Sequence, residues 1–120
     1  MDDESAEYTT LDGSRVLELI RPDREGSERL SLARATVEPG DSTLRHQHGK
    51  SEEIYYVLSG EGALEIGSAI ERVGPGDARL IPPGVEHRVT AVGAEPLVIL
   101  CACSPPYRHE DTEITGPVTA

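Results

Sequence analysis

Apolar positions along the chain come in short runs, several of them alternating with polar residues, and each run is closed by glycine, proline or a cluster of charge. The runs at 16–20, 30–37, 54–58, 63–66, 69–73, 78–81, 87–92 and 97–103 have the length and β-branched or aromatic content of strands. Gly and Pro supply the punctuation: Pro39-Gly40, Gly60-Glu61-Gly62, Gly74-Pro75-Gly76 and Pro82-Pro83-Gly84 each read as a turn, and Ser104-Pro105-Pro106 stops the last strand. Residues 21–28, charged and containing Pro22 and Gly26, read as a loop. Nowhere does an apolar period of 3.6 persist over a dozen residues, so the pattern predicts an all-β fold, a small antiparallel barrel or sandwich.

With 120 residues the chain has room for one domain. Its expected organisation is a barrel core over about 14–104, a flexible acidic N-terminus at 1–10, and a polar tail at 107–120 that packs on the barrel, packs on a neighbouring subunit or trails in solvent. The formal charge of −11, from 22 acidic against 11 basic residues, argues against nucleic acid or an anionic membrane as partner. Small molecules and further copies of the chain remain. No apolar run approaches the ~20 residues that cross a bilayer, and no signal-peptide pattern opens the chain, so the expected location is cytoplasmic. Cys101 and Cys103, two apart on a strand, share a face and read as reduced packed thiols.

The chemistry is concentrated between Gly40 and Gly60. His46 and His48 stand at i and i+2, so on extended chain both imidazoles project from one face and can converge on one ion. Glu52 and Glu53 follow, and since neighbours on a strand face opposite ways, only one can join the histidines. A carboxylate turned toward the apolar run behind it costs several kcal/mol unless paired, protonated or bound to a cation. Further on, Pro82-Pro83-Gly84 re-aims the chain just before His87.

These two stretches resemble the two cupin motifs. In the first, a glycine, five residues, His-x-His, four residues, a glutamate, six residues and a glycine correspond to Gly40, His46, His48, Glu53 and Gly60, and the step to Gly60 selects Glu53 over Glu52. In the second, Gly76, Pro82, Gly84 and His87 match, while the position where the family pattern has asparagine holds Ala91. The resemblance implies a jelly-roll-like barrel, or double-stranded β-helix, and one divalent transition metal (Mn, Fe, Ni, Co, Cu or Zn) held by His46, His48, Glu53 and His87. It implies a homodimer and a small-molecule ligand, with isomerase, lyase or dioxygenase chemistry on an organic acid or sugar derivative. The alternative is a non-catalytic metal-dependent binder of a carboxylate or sugar.

Around that centre, Tyr55 lies two residues after Glu53 and should face the same way, either as a phenol that orients substrate or acts as acid or base, or as core packing. Tyr56 should face the opposite side. Arg45, Arg79 and Arg88 read as solvated; one turned inward would instead bind a substrate carboxylate or phosphate. His109 reads as a solvated tail residue.

Overall fold

The computed structural model describes residues 7–116. Chain order runs through β1 (Tyr8–Thr9), β2 (Arg15–Ile20), a single-turn helix α1 (Pro22–Glu25), β3 (Ser31–Val37), β4 (His46–His48), β5 (Glu52–Ser59) and β6 (Gly62–Ile66). It continues through β7 (Ala69–Val73), β8 (Ala78–Ile81), β9 (His87–Ala91), β10 (Leu97–Ser104), a 3-10 turn at His109–Asp111 and β11 (Thr112–Ile114). All strand pairings are antiparallel. One sheet has the order β1-β2-β3-β10-β5-β8 and the other β11-β4-β9-β6-β7, a two-layered jelly roll as the sequence predicts.

Alternation along β5 shows how the pattern is used. Glu53, Tyr55 and Val57 are buried, while Glu52, Ile54, Tyr56 and Leu58 are exposed, as expected for a strand with one face on a core. The core joins both layers: Tyr55, Val57, Ile81 and Ile99 come from the first sheet, Leu64, Val73 and Val89 from the second. Fully burying such side chains stabilises by roughly 1.5–3 kcal/mol each. Glycine is needed at position 60, where φ is +80° and a Cβ would lie 2.2 Å from the Pro96 carbonyl oxygen.

Two local features differ from the pattern reading, and a third decides an alternative it left open. Arg21–Gly26 closes a helical turn, because Pro22 presets φ at the first helical position and Gly26, at φ +81°, accepts the left-handed exit. Tyr8–Thr9 pairs with β2, inside the segment predicted to be flexible; the flexibility expected of residues 1–6 lies outside the described residues. In the tail, Thr112–Ile114 pairs with β4 in register Thr112↔His48 and Ile114↔His46, so this part of the tail packs on its own barrel.

Candidate metal centre

The centre forms where β4 and β9 adjoin. Register places His46 directly opposite His87, and His48 lies two residues along β4 on the same face. All three histidines are at most 4% exposed, and one ring nitrogen from each lies within 4.8 Å of the other two. In each ring Nδ1 is already engaged. His46 Nδ1 is 2.7 Å from the Leu44 carbonyl oxygen, His87 Nδ1 is 3.0 Å from that of Val85, and His48 Nδ1 is 3.0 Å from Thr112 Oγ1. Nδ1–H donating outward leaves the Nε2 lone pairs turned to the common centre.

Glu53 approaches from the opposite sheet. Its Oε1 lies 3.1 Å from His48 Nε2 and 3.5 Å from His87 Nε2, while Cys103 Sγ donates to its Oε2 at 3.4 Å. Despite these distances, Glu53 Oε1 and His87 Nε2 are buried without a hydrogen bond of acceptable geometry. Buried polar atoms left in that state are costly. An ion with bonds of about 2.1 Å holds tetrahedral ligands about 3.4 Å apart, so the imidazole nitrogens would have to draw together to share one. Nitrogen and oxygen donors in this mix suit a first-row transition metal, and the three histidines could hold one.

Electrostatics bind the metal-free cluster together. Burial opposes ionisation of Glu53, yet the imidazoles of His48 and His87 outweigh it and hold the carboxyl at about 2. Burial likewise disfavours the charged form of His48, but the Glu53 carboxylate beside it outweighs burial and raises its pKa. His46 moves down, through burial and then unfavourable electrostatics with His87.

The sequence-selected residues Tyr55, Cys101 and Cys103 line the cavity beside the cluster. Tyr55 packs edge-on against His87 at 5.8 Å between ring centroids, and burial followed by the Glu53 charge raises its pKa well above 10.0. Burial and then Glu53 also raise both thiols, keeping them protonated at neutral pH. Glu52, Tyr56 and Arg88 are exposed. Arg45 is paired with Glu65 and Glu86, Arg88 with Glu65 and Arg79 with Glu71, none of them lining the cavity. His109 is exposed, its Nδ1 2.9 Å from the Tyr107 hydroxyl.

Several wall residues carried no motif. Asp12 Oδ2 lies 3.5 Å from His46 Nε2, and its Oδ1 accepts from Ser14 N at 2.9 Å and Ser14 Oγ at 2.7 Å. That Asp-x-Ser turn is a local signal for a fixed carboxylate, though not for its position. From the tail, Thr112 reaches His48, and Tyr107 sets its ring 5.7 Å from that of His48. Gly84, at φ +77°, donates its N–H to the His48 carbonyl at 2.7 Å, which ties the turn before His87 to the strand bearing the other two histidines. Ala91 is fully buried where the family pattern has asparagine, its N–H bonded to the Asp41 carbonyl.

A family model for the cupin domain matches residues 33–103. The chain belongs to the cupin family. Within this cupin the match begins in β3 and ends in β10, so β1, β2 and β11 lie outside it. An uncharacterised protein of Methanocaldococcus jannaschii is 46% identical over 107 residues, covering 89% of this chain and 86% of that one. Protein SchB of Streptomyces halstedii is 31% identical over 108 residues, covering 86% and 78%. In fold, the cupin is similar to Lactobacillus farciminis oxalate decarboxylase in its formate complex, with a TM-score of 0.79 at 22% identity, over 93% of this chain and 34% of that one.

Proposed function

We propose that this cupin holds one divalent transition metal through His46, His48, His87 and Glu53 and uses it on a small polar metabolite, an organic acid or a sugar derivative. The observation that carries the reading is the pair of buried, unbonded atoms Glu53 Oε1 and His87 Nε2 in a cluster whose outward nitrogens are all engaged. When bound, such an ion supplies Lewis acidity and open coordination positions for ligand oxygens. Glu53 would bring one negative charge to the centre, and the Cys103 thiol donates to its far oxygen. Tyr55 stays a phenol at neutral pH because burial opposes its ionisation; its role is therefore to donate a hydrogen bond and orient the ligand, not to act as a base. The wall from Asp12 to Thr112 shelters the centre from solvent. Isomerase, lyase and dioxygenase chemistry are all compatible with this set, since fold does not select among them.

Elemental analysis of protein purified without added metal tests the centre. Near-stoichiometric metal is expected in the native chain, with loss in the His46→Ala, His87→Ala double variant; equal metal content in both would refute the ligand set. Isomerisation, carbon–carbon cleavage and oxygen-uptake assays on the metal-loaded protein then separate an enzyme from a binder.

A further inference from the structure

We propose that the cavity selects a neutral polyhydroxylated ligand, one carrying vicinal hydroxyls or a hydroxyl beside a carbonyl, and discriminates against carboxylates and phosphates. This rests on the metal-centre reading and narrows its ligand class.

The first observation is the distribution of charge. Asp12, Glu18 and Glu53 line the cavity, and among the described residues no arginine or lysine does. The segments outside the described residues contain no basic side chain. Several arginines are engaged with carboxylates outside the cavity: Arg15 with Glu7 and Glu38, Arg34 with Glu7, Arg45 with Glu65 and Glu86, and Arg72 with Glu61. Three carboxylates more than offset the charge of a divalent ion, so an incoming anion meets no net positive field. A second anionic group on the ligand would face Asp12 or Glu18 with no partner, in surroundings less polar than water.

The second observation is hydrogen-bonding chemistry. Asp12 is fixed by Ser14 and presents Oδ2 to the cavity beside His46, and Glu18 accepts from the Tyr8 hydroxyl at 2.6 Å. Carboxylates only accept, and so do carboxylate and phosphate ligands; a hydroxyl donates as well. Tyr8, its proton given to Glu18, can accept, and Thr10 and Tyr107 add hydroxyls able to give or take, Thr10 Oγ1 lying 3.1 Å from the Tyr107 hydroxyl. A ligand bearing several hydroxyls matches this wall from both directions. Ala33, Ala35, Val37 and Ile99 form an apolar wall for its carbon face.

Protein loaded with Co(II), its metal content fixed by elemental analysis, provides the test. Visible absorption and calorimetry would follow titration with three matched pairs: dihydroxyacetone and its phosphate, fructose and fructose 6-phosphate, glyceraldehyde and glycerate. In each pair the neutral member is expected to bind more tightly by roughly tenfold or more. An Asp12→Asn, Glu18→Gln double variant should narrow that gap to about threefold or less. Equal or tighter binding of the charged members, or no binding of any neutral member up to ~50 mM by fully loaded protein, overturns the proposal and leaves the metal centre standing. A chain that takes up no cobalt overturns both together.

Discussion

Replacing Thr112 by valine isolates the contribution of the tail to the centre. His46 and His87 are oriented by carbonyls two residues back on their own chain, but His48 depends on a side chain 64 residues away. Thr112 Oγ1 accepts from His48 Nδ1–H and passes its own proton toward the Arg108 carbonyl, 3.1 Å away. Valine preserves the shape and removes the acceptor. Without metal the imidazole can answer by moving its proton to Nε2, where Glu53 lies 3.1 Å away. Metal binding must reverse that move and leave Nδ1–H buried without a partner, a penalty of about 1–3 kcal/mol. At ~1.4 kcal/mol per tenfold, affinity should fall roughly 5- to 150-fold, the range typical of lost outer hydrogen bonds. Competition against chelator-buffered Zn(II) or Co(II) measures it. Thr112→Ser should retain native affinity, and Thr115→Val, which removes a buried hydroxyl with no hydrogen bond of its own, should change little. Native affinity in Thr112→Val, or equal losses in the valine and serine variants, would refute the reasoning.

Four further outcomes follow from the structure. Because Glu53 is depressed from 4.5 to about 2 in the metal-free fold, its stabilisation is complete above pH 4.5 and is lost as pH falls toward 2; chemical denaturation of metal-free protein should show that loss, and Glu53→Gln should flatten it. His48 is shifted the other way, so its contribution is complete below 6.5 and fades as pH rises, while metal affinity should climb over that same rise because the ion requires neutral imidazole. Gly60→Ala should destabilise by at least about 2 kcal/mol in urea unfolding, since its Cβ meets the Pro96 carbonyl and its φ is +80°; a smaller change would mean the turn relaxes. Ile54, Tyr56 and Leu58 on β5 and Leu80 on the edge strand β8 form an exposed apolar row, so the expected homodimer should use this face: Tyr56→Arg with Leu80→Glu should give monomer mass in light scattering, and an undisturbed dimer would exclude it.

Most of the strand frame was legible because alternation and Gly/Pro punctuation are local properties of a jelly roll. Strand parity showed only that one of Glu52 and Glu53 could face the histidines; the choice of Glu53 came from its six-residue step to Gly60 in the cupin pattern, and Glu53 is the buried one. Asp12, Tyr107 and Thr112 were not legible. Thr112 reaches the cavity by pairing with β4, while Asp12 and Tyr107 reach it from a turn and a loop, so no periodicity marks them, and the Asp-x-Ser turn fixes a carboxylate without saying where it lies. Strands of two or three residues, such as Tyr8–Thr9 and Thr112–Ile114, exist because an already formed strand offers them a ladder. The reading of Arg45, Arg79 and Arg88 as outward residues fits their engagement with glutamates away from the cavity.

The histidines belong to one layer and Glu53 to the other. An ion shared among them, as proposed, would act as a rivet through the sandwich, at the place where polar groups of the two layers face each other. The remaining seam is closed by Val57, Leu64 and Ile99, which need no ion. Loading would then change compliance more than shape: amide protons of β4, β5 and β9 would exchange with solvent more slowly while those of β6 and β7 kept their rates. A chelator would loosen one end of the molecule like a hinge with its pin withdrawn.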